Sequence, residues 1–184
     1  MSPTPGNKNR LPMTDDTPLR IGSYLEELGI PFRQIHHEPT TTSEASARAR
    51  GESLEVGGKA ILLKTDNVFR LFVLSAALRL DSAAIRRQLQ AKKTRFASRE
   101  ELFELTGLVP GSVPPFGPPI LPFELFVDPS ILANEKISFN AGSLEASIVM
   151  AVPDYLRAAA PKILAFSEAL DESAEPSSGP EPRP

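Results

Sequence analysis

The sequence contains no cysteine and only two histidines, His36 and His37, among its 184 residues. The absence of cysteine excludes a disulfide framework, a thiol nucleophile and cysteine-ligated zinc or iron–sulfur sites. Two adjacent histidines are too few for a histidine-rich metal site, so we expect neither a metal nor a cofactor.

Long apolar runs are also missing. No stretch approaches the roughly 18–20 uninterrupted apolar residues of a transmembrane helix, and residues 1–18 lack the apolar core of a signal peptide. These absences predict a soluble, cytoplasmic protein that does not associate with membranes. The length suits one domain with tails.

Proline is common at both ends and absent from the middle of the chain. None of the 19 prolines lies between Pro39 and Pro110, so regular structure should be densest there. The two ends combine proline with few apolar residues, which cannot offset the entropy of ordering. We therefore predict disordered tails over residues 1–17 and 168–184, and one domain over residues 18–167.

Within that domain, helix and strand patterns alternate without a regular βαβ repeat. Lys59–Thr65 and Val68–Ser75 are β-rich runs joined by Asp66-Asn67, which predicts a hairpin. Ser98 with Glu101 forms a capping box that predicts a helix ending before Gly107. Other helices are predicted over 19–28, after a cap at Thr42 or Ser43 to near Gly51, after a cap at Asp81 through Leu89, and from 153. Other strands are predicted over 31–37, 123–127, 136–139 and 146–151. This order favours an α+β domain.

The net charge of −3 conceals a basic region. Residues 168–184 carry −4, so the rest of the chain carries +1, and residues 79–99 alone carry +6. Such a region suits a phosphate backbone, although a solvated helix face explains the charge equally well. The candidate RNA contacts in it are Arg86, Arg87, Lys92 and Lys93.

Lys59 opens an otherwise apolar strand. An ammonium group at the start of a strand can hydrogen-bond a substrate oxygen or offset developing negative charge. The competing interpretation is a lysine that merely extends its charge to solvent. No nucleophile elbow, phosphate loop, dinucleotide fingerprint or zinc motif accompanies it.

A second unusual segment, Leu105–Gly117, follows the predicted helix with the sequence LTGLVPGSVPPFG. Proline removes donors and fixes φ, whereas glycine lets the backbone approach a ligand closely. The segment could recognise a small group through backbone atoms, or it could be a stiff connector.

Taken in order, these segments resemble the YbaK/EbsC family of aminoacyl-tRNA editing domains, which are related to the insertion domain of bacterial prolyl-tRNA synthetase. The most specific segment is RFASREELFELTGLVPGSVPPFG (95–117), and the others are LFVLSAALRLD (71–81), FVDPSIL (126–132) and FNAGSLEASI (139–148). The resemblance covers about residues 19–160. It implies a single mixed sheet, partly barrel-like, with flanking helices.

The resemblance also implies an activity: hydrolysis of the ester that joins a wrong, small amino acid to a transfer RNA, with the proline tRNA as the expected carrier. It implies catalytic positions at Lys59 and Gly111 and a free-standing enzyme. The implied partners are mischarged aminoacyl-tRNA and an aminoacyl-tRNA synthetase. The implied substrate-binding positions are His37, Ser112, Val113, Pro115, Phe116, Gly142, Ser143 and Glu145.

The chain departs from the family pattern at Ala60, Pro114 and Leu144, where relatives more often carry polar residues, and this leaves the choice of amino acid open. An aminoacyl ester is already activated, so its hydrolysis depends on positioning and charge stabilisation more than on a strong nucleophile. Two other functions remain: a module that binds an aminoacyl or nucleotide group without hydrolysing it, and an interaction protein whose proline-rich tails recruit a synthetase or ribosomal partner.

Overall fold

A computed structural model describes residues 17–170 of the protein. The helices of this part are α1 (Thr17–Glu27), α2 (Ser43–Arg50), α3 (Ser82–Leu89), α4 (Arg99–Thr106), α5 (Pro129–Leu132) and α6 (Val152–Ala159), with a 3₁₀ turn at Leu54–Val56. The strands are β1 (Arg33–His36), β2 (Gly58–Thr65), β3 (Val68–Ser75), β4 (Leu78–Leu80), β5 (Thr94–Phe96), β6 (Glu124–Val127), β7 (Lys136–Asn140), β8 (Ala146–Ala151), β9 (Lys162–Ile163) and β10 (Ser167–Ala169). Within residues 17–170, no helix has the length and apolar character needed to cross a membrane.

The strands form three sheets. The largest has the order β5-β2-β3-β6-β9 and is mixed, because β2 pairs antiparallel with β3 and β5 whereas β3–β6 and β6–β9 are parallel. A second, antiparallel sheet has the order β1-β8-β7, and β4 pairs with β10. The predicted α+β class and mixed pairing are confirmed. The strands are divided among three sheets rather than one, and in the described part of the chain they do not close into a barrel.

Both faces of the five-stranded sheet are buried. Because side chains alternate along a strand, Leu71 and Val73 of β3 enter one hydrophobic cluster while Phe72 and Leu74 enter another. The first cluster fills the space between the two larger sheets and includes residues of α1 and α6. The second lies on the opposite face, where α3 covers the sheet.

Most local signals have their expected structural result. Thr42, Asp81 and Ser98 cap α2, α3 and α4 through their side chains. The elements absent from the prediction are short: β4, β5, β9, β10 and α5 have two to four residues each. Strand β10 takes in Glu168 and Ala169, at the start of the predicted C-terminal tail. Thr17, the last residue of the predicted N-terminal tail, begins α1, and Leu170 is exposed. Residues 1–16 and 171–184 of the two predicted tails lie outside the described residues.

Helix α4, which leads into the glycine–proline segment, is fixed at its start by a charged capping box. The Ser98 hydroxyl accepts from the Glu101 amide at 3.1 Å, and the Glu101 carboxylate accepts from the Ser98 amide at 2.9 Å. Arg95 donates to both carboxylate oxygens at 2.7 Å. The Arg95 hydrogen bonds, followed by the Ser98 amide, lower the pKa of Glu101 to about 2.

This arrangement predicts a pH-dependent contribution to stability. A carboxylate with a lowered pKa stabilises the folded state fully above its unfolded pKa near 4.5, and the contribution is lost as the pH falls through about 2. Glu101→Gln should therefore lower the melting temperature at pH 7, and the difference from the wild type should shrink between pH 4.5 and 2. Thermal unfolding across this range measures it, with Glu100→Gln on the exposed side of the same turn as the control. A difference that stays constant with pH would contradict the prediction.

Candidate functional site

A pocket of about 370 Å³ opens between β2, the start of α2 and the loop that follows α4. This volume lies in the range of roughly 300–1,000 Å³ that is typical of small-molecule sites. Its lining residues divide by polarity into two groups, which we call the polar wall and the apolar wall. The polar wall contains Thr40, Thr41, Thr42, Ser43, Ser46, Arg50, Lys59 and Asn140, and the apolar wall contains Ala60, Ile61, Leu62, Phe96, Ala97, Leu102 and Val113.

The charges at the pocket are positive. Arg50 and Lys59 line it, and no acidic residue is among the described residues that do. The Lys59 ammonium donates to the Leu78 carbonyl oxygen at 2.7 Å, which leaves two of its three donors for a ligand. Burial lowers the pKa of Lys59, and the charge of Glu44 opposes this shift. The pocket is therefore suited to a group that is anionic or becomes so.

The loop after α4 supplies backbone donors. Gly111 has φ +86°, a conformation that favours glycine, and the Ser112 hydroxyl closes the turn by donating to the Val109 carbonyl at 2.8 Å. The N–H groups of Gly111 and Val113 have no acceptor among residues 17–170. Both residues line the pocket, so two residues of its lining carry a backbone donor without a partner in the described part of the chain.

Within the polar wall, Arg50 lies at the centre of a buried hydrogen-bond network. Its Nε donates to the Ser147 hydroxyl at 2.9 Å and its Nη2 to Asn140 Oδ1 at 2.7 Å. Asn140 Nδ2 in turn donates to the Gly111 carbonyl at 2.7 Å. Burial lowers the pKa of Arg50 to about 10, although the charge of Glu52 opposes the shift. Arg50 remains a cation at neutral pH.

Comparison with known proteins identifies the family of this fold and pocket. The model of the aminoacyl-tRNA editing domain matches residues 37–158, a range that includes every residue lining the pocket. The chain is also 34% identical over 153 residues to the multifunctional Ser/Thr-tRNA deacylase ProXp-y of Escherichia coli K12, covering 80% of this chain and 90% of that protein. The chain belongs to the aminoacyl-tRNA editing domain family.

Two further matches differ in how much of the matched protein the similarity covers. A proline–tRNA ligase of Shouchella clausii is 34% identical over 113 residues, which cover 61% of this chain and only 19% of the ligase. A crystal structure described as a candidate trans-editing enzyme for prolyl-tRNA synthetase superimposes with a TM-score of 0.72 over 85% of this chain and 99% of that one, at 23% identity. At that identity the likeness establishes the fold alone.

Three of the site residues that the sequence predicts line the editing-domain pocket: Lys59, Gly111 and Val113. Ser112, Pro115 and Phe116 lie on the far side of the loop and hold it in place. Ser112 closes the turn, and the Pro115 carbonyl accepts from the buried Tyr155 hydroxyl at 2.7 Å. Phe116 meets Phe139 and Tyr155 edge to face in the core, with centroids 5.5 Å apart.

The remaining predicted substrate-binding residues lie outside the pocket lining. His37 Nε2 contacts the Ser147 hydroxyl at 2.8 Å and so joins the Arg50 network from a position outside the pocket lining. Gly142 has φ +81°, and a Cβ there would lie 2.4 Å from Thr17 Cγ2, so its place is against α1. The Ser143 hydroxyl accepts from the Glu145 amide at 3.1 Å, and the Glu145 side chain is exposed.

The sequence analysis missed Arg50, Asn140 and the threonine and serine residues of the polar wall. Arg50 is part of SEASARAR, whose charged residues suggest a solvated helix, yet Ser46, Ala47 and Arg50 are all buried. The available signal was the helical spacing, because positions three and four apart share a face and this face otherwise carries small residues. Asn140 carries no local signal, since its role depends on contacts with residues far away in the chain.

The backbone conformation of Gly111 predicts a selective loss of activity on substitution. Gly111→Val places a β-branched residue at φ +86°, which costs about 1–2 kcal/mol, and relief of that strain would displace the two free N–H groups. We expect turnover of the family's substrate to fall at least about tenfold. Gly29→Val is the matched control, because Gly29 also has positive φ (+67°) but lies outside the pocket lining. Equal activity of the two variants would mean that the loop is only a connector.

Proposed function

We propose that this protein hydrolyses the ester bond between a mischarged small amino acid and its transfer RNA, acting in trans. The observation that carries the proposal is the juxtaposition of unpaired backbone donors at Gly111 and Val113 with the Lys59 ammonium in one pocket. That pocket lies within the segment that matches the editing-domain family.

The proposed reaction follows from these groups. Water adds to the ester carbonyl carbon, and negative charge develops on the carbonyl oxygen. The N–H groups of Gly111 and Val113 donate to that oxygen, while Lys59 offsets its charge; a single donor of this kind typically contributes about 10²–10³ in turnover. Collapse breaks the acyl carbon–oxygen bond, and a proton passes to the leaving ribose oxygen, releasing the amino acid and uncharged tRNA.

Two observations support a seryl or threonyl ester as the substrate. The polar wall presents the hydroxyls of Thr41 and Ser43, which form no side-chain hydrogen bond with other residues in the described part of the chain and can exchange hydrogen bonds with a hydroxylated aminoacyl group. The E. coli relative is a Ser/Thr-tRNA deacylase.

Action in trans is supported by coverage, since the match spans 90% of that deacylase but 19% of the proline–tRNA ligase. The similarity to the ligase makes the proline tRNA the proposed carrier, with prolyl-tRNA synthetase as the proposed partner. A cytoplasmic location belongs to the same proposal.

The pocket margin is suited to the unpaired end of a tRNA. Phe96 lines the pocket with 58% of its surface exposed, so it offers a ring face on which a terminal base can stack. Lys92 and Lys93 are exposed just before β5, about 10–13 Å of extended chain away, within reach of nearby phosphates. Arg86 and Arg87 are exposed on α3, which contacts β5.

A deacylation panel tests the function. Proline tRNA charged with serine, threonine, alanine or proline is incubated with the protein, and we expect release of serine or threonine while the prolyl ester persists. Lys59→Ala should lower the rate at least about tenfold, or roughly 1.4 kcal/mol. The control is Lys64→Ala, since Lys64 lies on the same strand outside the pocket lining with its ammonium over the Phe69 ring. Full activity of Lys59→Ala would remove Lys59 from the mechanism. Binding without release of any amino acid would favour a binding module.

The exposed residues Lys92 and Lys93 lead to a separate prediction about the salt dependence of tRNA binding. Lys92→Ala combined with Lys93→Ala should raise KM several-fold and leave kcat unchanged. The slope of log affinity against log salt should become shallower by about 0.7–0.9 for each phosphate that the two lysines neutralise in the wild type. Lys162→Ala is the control, because Lys162 lies on β9, at the opposite edge of the five-stranded sheet from β5. Equal effects of both changes would indicate general electrostatics rather than a surface at β5.

A further inference from the structure

We infer that Arg50 and Asn140 are positioning residues that set the backbone of the Gly111 loop. The inference rests on the proposed function, in which the N–H groups of that loop stabilise the charge of the reacting ester. Both residues line the pocket, and the role we assign to them is to act on the loop through a continuous series of hydrogen bonds.

The first step is the orientation of the Asn140 amide. An arginine side chain has only donors, so the 2.7 Å contact with Arg50 Nη2 must be made by the amide oxygen, Oδ1. The Ser147 hydroxyl donates to the same oxygen at 3.1 Å. The nitrogen, Nδ2, therefore faces the loop and donates to the Gly111 carbonyl at 2.7 Å. The cation thus determines which end of the amide meets the loop.

The second step is the position of the anchored carbonyl. The peptide joining Gly111 to Ser112 lies between the two peptides that contain the free N–H groups, those of Gly111 and Val113. A hydrogen bond that fixes this central peptide limits the rotation of both neighbours. Anchoring matters here because glycine at φ +86° has many alternative conformations available.

The third step concerns why a positive charge is kept at the buried position of Arg50. Arg50 is only 8% exposed, and its three hydrogen-bond partners, Ser147, Ser138 and Asn140, are all neutral. The carboxylate of Glu52 is within ion-pair distance of Arg33 and Lys136 instead. A buried cation without a paired carboxylate is not the arrangement that best stabilises a fold. Its retention is explained if the charge orients Asn140 and, with it, the loop.

Asn140→Asp separates this role from a merely structural one. The aspartate keeps the size of the side chain and gives Arg50 a carboxylate partner, so the melting temperature should stay the same or rise. Its other oxygen cannot donate to the Gly111 carbonyl and repels it. We expect kcat for deacylation to fall at least about tenfold with little change in KM, and hydrogen exchange of the Ser112 amide, which donates to the Val109 carbonyl at 3.1 Å, to quicken. Arg50→Lys, which replaces the separate Nε and Nη2 donors with a single nitrogen, should likewise lower kcat.

The matched control is Asn134→Asp. Like Asn140, Asn134 donates from its side-chain amide to backbone carbonyls, here those of Glu55 and Ser130 at 3.1 Å. Asn134 lies outside the pocket lining. The Asn134→Asp variant should have a lower melting temperature than the wild type and the same kcat. Wild-type kcat and wild-type loop exchange in Asn140→Asp would overturn the inference, as would losses of activity that simply follow melting temperature across the variants. If the wild type releases no amino acid, the proposed function fails, and the exchange measurement still decides whether Asn140 holds the loop.

Discussion

Eight residue pairs join β2 to β3, from Gly58↔Ser75 to Thr65↔Val68, and both faces of this antiparallel ladder are covered. Burial on both sides leaves no tolerance for a change of register, because a slip of one residue would exchange the side chains of the two clusters. β2 also pairs with β5, and β3 with β6. The ladder therefore determines where Lys59 meets the pocket and where Phe96 reaches its margin.

Two buried charges in this fold are satisfied in opposite ways. Burial raises the pKa of Asp128, but hydrogen bonds from Phe166, Ser130 and Ser167 outweigh that effect and leave the pKa lowered. Asp128 thereby ties the start of α5 to the segment before β10. Arg50 instead has neutral partners that continue to the pocket wall. The first charge holds chain segments together, whereas the second is directed at a loop that lines the site.

The pocket combines positive charge, backbone donors and hydroxyls without a thiol, and no three His, Asp or Glu side chains in residues 17–170 are grouped to hold a metal. Such a set suits a substrate that is already reactive, because an activated ester needs orientation and charge stabilisation more than a strong nucleophile. Precision in the loop backbone then becomes the main requirement, and the Tyr155–Pro115 and Asn140–Gly111 hydrogen bonds, both 2.7 Å, fix the loop at two points.

The sequence predicted those features that depend on interactions between residues close together in the chain. The hairpin at Asp66-Asn67, the capping box of Ser98 and Glu101, and the glycine stop at Gly107 all follow from interactions within a few residues. Lys59 and Gly111, which the sequence and the family resemblance singled out, both line the pocket, and their catalytic roles stay predictions. Short strands such as β5 were missed because three residues carry too little pattern, and their pairing with distant strands creates them.

Tertiary structure alone decided the interior of the site. In sequence, Arg50 looks like a surface residue of a polar helix, and Asn140 is 90 residues away from it. They meet because β7 packs over the 3₁₀ turn and β2, which brings the two polar side chains into one desolvated space behind the Gly111 loop. A buried polar group must find a partner, and which partner it finds depends on the packing of remote segments, which no local pattern encodes.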